Sequence, residues 1–166
     1  IVRDFNNHES DFAAMHRFYE LDLTQLKLES IPDSYFDFIR MAHVIEHLYN
    51  GDLVLPALIK KLKPNGYFYI EYPGEKSTRL PSMHGTLNFK DDPTHVRLYS
   101  VKEIAGIFKD NNCSVIQSGI RRNKLFILLT RFRLIAGILS PKKLNANIFW
   151  DILGFAEFVF AQKNSK

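Results

Sequence analysis

The sequence has a single cysteine and no two glycines close together. Cys113 therefore cannot form an internal disulfide, which is typical of a reducing compartment, and we expect a cytoplasmic protein. The eight glycines are isolated from one another, so the sequence has no Gly-x-Gly-x-Gly turn of the kind that brings backbone N–H groups to a nucleotide. A dinucleotide-dependent oxidoreductase, which needs such a turn, is disfavoured for this reason.

A strong charge of one sign and a long uninterrupted apolar run are also missing. The net charge is +4 and the 22 Lys and Arg residues are spread along the chain, so we expect no nucleic-acid partner. The apolar stretch 125–139 is interrupted by Arg131 and Arg133 and is too short to cross a membrane. With 46% hydrophobic and 24% charged residues, residues 1–166 have the composition of a single globular domain.

The chain is organised around a strand–helix–strand unit between Tyr35 and Pro73. Two short apolar and aromatic runs, Phe36–Ala42 and Tyr67–Tyr72, are predicted strands. Between them, apolar residues recur at the spacing of one helical face, namely Val54, Leu55, Leu58, Ile59 and Leu62. The turn Lys63-Pro64-Asn65-Gly66 ends this helix. A strand, a helix and a strand in so short a span predict a parallel crossover with helices covering the sheet.

Further elements are predicted on both sides of this unit. They are a short helix at residues 11–17, a strand at Arg17–Leu21, a helix after the N-cap Ser100, and strands at Cys113–Gly119 and Glu157–Ala161. Residues Pro73–Phe89 show no periodicity, and so long a connection is typical of a loop that faces a substrate. The chain begins with Ile inside what reads as the end of a strand, so we expect a domain that is incomplete at its N-terminus.

The segment FDFIRMAHVIEHL, followed by LKPNGYFYIEYP, resembles the central part of a class I S-adenosylmethionine-dependent methyltransferase. That family has an Asp near the start of its fourth strand, a Glu-His-Leu after it, and a Leu-Lys-Pro-Gly-Gly turn before its fifth. Asn65 stands where the family prefers Gly, and Asn tolerates the same left-handed backbone. The resemblance implies an α/β fold with a Rossmann-like sheet, mostly parallel with an antiparallel last strand.

The resemblance also implies what this chain is missing. The family's first strand and its Gly-rich loop have no counterpart here, so we expect residues 1–166 alone to bind the cofactor weakly or not at all. Without that central strand, the strand Phe36–Ala42 would have an unpaired edge.

The resemblance makes S-adenosylmethionine the cofactor and implies which residues hold it. They are Asp4, Asp22, Leu23, Met41, Ala42, Glu46 and His47. Two of these have a plainer alternative. Asp4 would simply open a loop, and Asp22 would cap a turn ahead of Thr24.

Histidines after the first predicted strand and before the Ser100 helix are candidates for the chemistry. His43 and His95 are the candidate general bases, because imidazole accepts protons near neutral pH. His43, Glu46 and His47 would share one face of a helix and, with His84 or His95, could form a Zn²⁺ site. The resemblance favours a cofactor-lining role for Glu46 and His47, and we assign no metal.

The predicted function is methyl transfer from S-adenosylmethionine to a small-molecule or glycan-like acceptor, at O or N. The alternative is a non-catalytic Rossmann-like module that binds or scaffolds a partner. Residues 121–152 form a long insertion between the last two strands. Its segment Leu125–Leu139 is interpreted as a cap helix over the substrate pocket, as a basic amphipathic helix lying peripherally on a membrane, or as a packed insertion.

Overall fold

The computed structural model describes residues 15–139 and 145–165. Asp4 and the predicted strand end at residues 1–5 lie outside these ranges, as does most of the predicted helix 11–17. Residues 15–17 themselves are not helical.

Four strands form one mixed sheet in the described part of the chain. They are β1 (Phe36–Ala42), β2 (Leu62–Pro73), β3 (Cys113–Ile120) and β4 (Ala156–Lys163), in the order β1-β2-β4-β3. β1 pairs parallel to β2, whereas β4 is antiparallel to both β2 and β3. Three strands therefore run one way and the last runs against them, which confirms the predicted Rossmann-like methyltransferase sheet.

The strand–helix–strand unit has the predicted form, with helix α1 at Gly51–Lys61. Its buried residues include the predicted Val54, Leu55, Leu58 and Ile59. β2 begins at Leu62 rather than Tyr67, because Leu62 already pairs with Phe36. The register then shifts before Phe38, and Asn65 adopts a left-handed φ of 63°. The predicted turn is thus an irregularity inside a longer strand.

Helix α2 (Val101–Asp110) lies beside α1 and packs on β3 and β4. Ser100 is its N-cap, as predicted, because its Oγ accepts a hydrogen bond of 3.2 Å from the backbone N–H of Glu103. The core lies between these two helices and one face of the sheet. There Phe68 of β2 meets Phe108 of α2 edge to face, with ring centroids 5.3 Å apart.

The predicted strand Arg17–Leu21 is wrong, since residues 15–22 form no strand in the described part of the chain. Tertiary context overrides the local preference here, because a strand needs a hydrogen-bonded partner. Within the described ranges β1 pairs only with β2, and Phe38 on β1 is half exposed.

The insertion between β3 and β4 contains two helices, α3 (Lys124–Leu139) and α4 (Asn147–Leu153). α3 and α4 contact each other. Among the described residues, no helix is both long and apolar enough to span a membrane. Four single 3₁₀ segments complete the described elements, at Leu23–Gln25, Ile45–His47, Glu75–Arg79 and Phe89–Asp91.

Candidate active site

His43 lies just beyond β1, where the chain turns away from the sheet. Its φ is 53°, and its backbone N–H donates a 2.9 Å hydrogen bond to the carbonyl of Glu71 in β2. This geometry places the ring between two carboxylates. Nδ1 lies 3.3 Å from Oε1 of Glu46, and Nε2 lies 3.2 Å from Oε1 of Glu71.

The two carboxylates keep His43 charged. Burial alone would lower the pKa of the imidazole, but its contacts with Glu46 and Glu71 outweigh burial and raise the pKa to about 9. Glu71 also accepts a 2.6 Å hydrogen bond from the hydroxyl of Tyr69 and lies 3.5 Å from Arg121. Burial opposes ionisation of Glu71, but His43, Tyr69 and Arg121 together lower the pKa of its carboxyl.

Glu46 sits in the single 3₁₀ turn Ile45–His47, so the helical face that His43, Glu46 and His47 would have shared does not form. The left-handed His43 interrupts the backbone before a helix can form. Glu46 is only 1% exposed; its Oε1 has the ion-pair contact with His43 but no well-aligned hydrogen bond, and its Oε2 has no partner among the described residues. Its backbone carbonyl accepts hydrogen bonds from the N–H groups of Val96 and Arg97. These bonds place the neighbouring His95 next to the Glu46 side chain.

The imidazoles of His47 and His95 lie next to each other, with ring centroids 4.9 Å apart. His95 Nδ1 lies 2.7 Å from the carbonyl oxygen of Phe89 and must donate to it. His47 Nδ1 faces the carbonyl and the hydroxyl of Thr94 at 3.1 and 2.9 Å. The Thr94 hydroxyl gives its own proton to Asp92, so His47 Nδ1 is also the donor. When neutral, both rings therefore carry the lone pair on Nε2.

One ligand atom from each of Glu46, His47 and His95 lies within 4.8 Å of the others. These three are the described residues that could hold a metal ion together. His84, the other loop histidine considered from the sequence, is exposed and outside this group.

A cleft of about 200 Å³, called here the central cleft, opens over these groups. It is lined by His43, Glu46, His47, Gly85, Thr86, Asp92, His95, Trp150 and Phe155. Trp150 and Phe155 stack with centroids 4.7 Å apart, and Trp150 contacts the His43 ring at 5.0 Å. The Trp150 indole N–H donates to the carbonyl of Thr86 at 2.9 Å. Loop 74–89 and the insertion thus each provide part of the wall.

Of the predicted cofactor residues, Met41 and Ala42 form the carboxyl end of β1, and Met41 is buried. Asp22 is exposed and caps the turn Leu23–Gln25, accepting hydrogen bonds from the backbone N–H and the hydroxyl of Thr24. Those bonds lower the pKa of its carboxyl. Asn50 donates a 3.0 Å hydrogen bond to the carbonyl of Thr24, which holds this turn against the start of α1.

The sequence prediction missed several residues of the cleft. It also missed Glu71, which does not line the cleft but pairs with His43 behind it; a single acidic residue inside an apolar strand often marks a buried polar role. Trp150 and Phe155 gave no such signal, because aromatic residues near the end of an insertion are more often core residues.

Comparison with known proteins agrees with the fold and the motif. A family model described as a methyltransferase domain matches residues 2–118. The match covers well over half of the chain, which therefore belongs to the methyltransferase-domain family, in its class I, S-adenosylmethionine-dependent form. No curated protein sequence matches the chain.

Solved structures with the same fold share little sequence. An S-adenosylmethionine-dependent methyltransferase from Archaeoglobus fulgidus is 19% identical, with a TM-score of 0.54 over 94% of this chain and 73% of that one. The complex of a methyltransferase with the Haloferax volcanii Trm112 activator is 14% identical, with a TM-score of 0.64 over 93% of this chain and 66% of that one. A Haemonchus contortus phosphoethanolamine N-methyltransferase bound to S-adenosylmethionine is 18% identical, with a TM-score of 0.51 over 81% of this chain and 35% of that one.

The described residues fit one part of a site for S-adenosylmethionine, the cofactor of this class. Ligands of open α/β sheets bind beyond the carboxyl ends of the parallel strands, and Met41, Ala42 and the central cleft are at that end of β1 and β2. The sequence has no Gly-rich turn for the rest of the cofactor.

Proposed function

We propose that this domain transfers a methyl group from S-adenosylmethionine to an oxygen or nitrogen of a small-molecule or glycan-like acceptor in the central cleft. The observation that carries the proposal is the position of this cleft, at the carboxyl ends of β1 and β2, with the buried Glu46 and the Nε2 atom of His95 inside it. Its volume of about 200 Å³ suits the reacting part of an acceptor rather than a whole large molecule.

The cofactor side of the site is assigned to Met41, Ala42, Leu23 and Asp22. Bound S-adenosylmethionine supplies a methyl group on a sulfonium, which a nucleophile displaces in line. Because this reaction needs mainly orientation and exclusion of water, the walls of the cleft matter more than any single group. Glu46 and His47, which the resemblance links to the cofactor, are better placed to face the acceptor, since both line the cleft beside His95.

The two candidate histidines have different roles in this proposal. His43 has a raised pKa, and its two ring nitrogens face Glu46 and Glu71, so it does not accept a proton at neutral pH. Its role in this proposal is that of a fixed cation that orients the acceptor or the side chains beside it. His95 has Nδ1 committed to Phe89, which leaves Nε2 free to activate an acceptor hydroxyl.

We further propose that α3 contacts an anionic membrane surface. Leu125, Leu128, Phe132 and Ile135 recur at three- and four-residue spacing along α3 and are all more than half exposed. The sequence from Asn111 to Trp150 has no Asp or Glu, and its cations are Arg121, Arg122, Lys124, Arg131, Arg133, Lys142 and Lys143. An apolar helix face in a basic segment suits anionic lipid headgroups, which would place the protein peripherally.

Methyl transfer is tested with the full-length protein, labelled S-adenosylmethionine and panels of hydroxylated small molecules, amines and glycans. With the acceptor found, His95→Gln should lower the transfer rate by roughly 10²- to 10⁴-fold, the usual contribution of acid–base catalysis. The exposed His84→Gln is the matched control and should leave the rate unchanged. A protein that binds the cofactor but methylates no acceptor would instead be the non-catalytic binding module.

A further inference from the structure

We propose that Glu46, His47 and His95 form a binding site for a divalent transition-metal cation, with Zn²⁺ as the best match. The three come from two separate segments, the turn after β1 and the loop before α2. They are brought together by the two hydrogen bonds from Val96 and Arg97 to the Glu46 carbonyl. The sequence analysis considered a Zn²⁺ site of His43, Glu46 and His47 with His84 or His95 but assigned no metal; in the structure the group is Glu46, His47 and His95.

The Glu46 side chain is buried with an incomplete set of partners. It is 1% exposed; neither buried carboxylate oxygen has a well-aligned hydrogen bond, and Oε2 has no ion-pair contact either among the described residues. Buried carboxylates are normally hydrogen-bonded, paired or bound to a cation. His43 lies 3.3 Å away, but the same ring also pairs with Glu71. One ring shared between two carboxylates leaves Oε2 of Glu46 without a partner, and Glu46 lines the central cleft.

The imidazoles of His47 and His95 are both oriented as metal ligands are. In both His47 and His95, an oxygen of the protein accepts the Nδ1 proton, which leaves the Nε2 lone pair free. This is the usual arrangement of metal-binding histidines, whose other ring nitrogen donates to a carbonyl or carboxylate. Nε2 of His95 lies 4.0 Å from Oε1 of Glu46, too far for a hydrogen bond. A cation between the two would satisfy both atoms.

The donor set indicates which cation fits. Two imidazole nitrogens and one carboxylate oxygen are typical of catalytic Zn²⁺ sites, which keep a further position open for water or substrate. Mg²⁺ and Ca²⁺ prefer oxygen ligands, so they suit this set poorly. The open position would face the central cleft.

A bound cation would also explain how the acceptor is activated, a consequence that rests on the proposed methyl transfer. Coordination would lower the pKa of a bound hydroxyl, as it does for bound water, and the released proton would pass to solvent water. The lone pair of His95 would then hold the metal instead of accepting a proton, and hydroxylated acceptors would be favoured over amines. The metal site itself does not depend on this role.

Metal binding is tested by calorimetric titration of the full chain with ZnCl₂, without cofactor or acceptor. We expect one site per chain. Glu46→Gln, His47→Gln and His95→Gln should each weaken binding at least roughly 100-fold, the upper end of the loss seen for outer-shell partners alone. His84→Gln, a loop histidine outside the cluster, should bind Zn²⁺ like the unmodified chain. Equal weakening in this control would overturn the proposal.

Co²⁺ binding to the unmodified chain tests the site without any variant, so a variant that fails to fold cannot decide the result. Co²⁺ should give a visible absorption band typical of nitrogen and oxygen ligands in a low-coordinate site, and one equivalent of Zn²⁺ should abolish it. If Co²⁺ gives no band and Zn²⁺ no one-to-one heat, the site does not exist. Methyl transfer that persists after chelation would reject only the metal's catalytic role, whereas Zn²⁺ binding without any transfer would reject only the proposed function.

Discussion

The Oδ1 atom of Asp151 accepts a 2.7 Å hydrogen bond from the backbone N–H of Asn123, which ties the end of the insertion to its beginning. Asp151 is buried, and its Oδ2 lies 3.8 Å from Arg121. The Arg122 guanidinium donates to the carbonyls of Asp151 and Ile152. These contacts hold the N-terminal end of α3 next to Asp151, whose neighbour Trp150 lines the central cleft.

Asp151→Ala should therefore lower the free energy of unfolding by about 2 kcal/mol, because a buried charged acceptor is lost. Asp151→Asn, which keeps an acceptor oxygen, should lower it less. Urea denaturation followed by circular dichroism measures both. Asp110→Ala, at the exposed end of α2, is the control and should change little. If all three variants unfold alike, Asp151 does not hold the insertion.

Asp91 should govern stability in acid. Partial burial opposes its charge, but hydrogen bonds from the backbone N–H groups of Met83, Asn88 and Leu87 lower its pKa to about 2. A carboxyl whose pKa is lowered on folding stabilises the protein above its ordinary pKa, near 3.8, and that contribution is lost as the pH falls through about 2.

Unfolding free energies measured between pH 5 and pH 2 should thus fall steeply for the unmodified protein and less steeply for Asp91→Asn. Asp110→Asn should follow the unmodified curve. Parallel curves for all three proteins would mean that another carboxyl carries the acid sensitivity.

Gly51 and Gly106 should respond oppositely to the same substitution. A Cβ on Gly51 would lie 2.4 Å from the hydroxyl of Tyr99 and 2.7 Å from Ile45, both buried. Gly51→Ala should destabilise the fold by about 1–3 kcal/mol, as overpacking does. A Cβ on Gly106, inside α2, meets nothing within 4 Å, so Gly106→Ala should stabilise it by about 0.5–1 kcal/mol. Thermal melts of both variants measure the difference. A neutral Gly51→Ala would show that Tyr99 has room to move.

The membrane proposal predicts salt-sensitive sedimentation with phosphatidylserine vesicles. Arg131→Glu with Arg133→Glu should weaken binding by well over tenfold, since each basic residue near an anionic surface contributes roughly 1 kcal/mol. Lys102→Glu with Lys109→Glu on α2 gives the same change in net charge and should matter little. Leu128→Ser with Phe132→Ser should also weaken binding, unlike the exposed Ile116→Ser on β3. Absence of binding at any salt would favour a cap or a packed insertion.

Asp22 tests the cofactor side of the site. If its carboxylate binds the adenine amino group, Asp22→Ala should raise the dissociation constant of S-adenosylmethionine by roughly tenfold or more in the full-length protein. Asp33→Ala, which removes the surface ion pair with Lys61, is the control. An unchanged constant in a folded variant would leave Asp22 as the cap of its turn.

The sequence predicted the sheet well because the strands and α1 carry their own patterns. Phe36–Ala42 was predicted with the bounds that the structure has, and the buried face of α1 follows from its spacing. Arg17–Leu21 carries a similar apolar pattern but finds no partner strand in the described residues. A pattern specifies which residues prefer extended backbone, whereas pairing depends on what lies alongside.

The site was predictable only in part. The Glu-His pair and His95 could be singled out by type, but the contact between Glu46 and His95 joins segments 49 residues apart through backbone hydrogen bonds to the Glu46 carbonyl. No local pattern encodes such a meeting. The left-handed His43 was missed for a different reason, since the i, i+3, i+4 spacing suggested a helix that this residue interrupts.

The position of β4 in the sheet means that the described sheet can be completed only at the end of synthesis. β4 is synthesised last of the four strands, yet it lies between β2 and β3 and pairs with both. While the ribosome is still translating the insertion, β3 has no neighbour in the described sheet, and β2 has only β1. An edge of β2 and an edge of β3 therefore stay unpaired until residues 156–163 emerge, which makes translation of the insertion the interval in which a chaperone would help most.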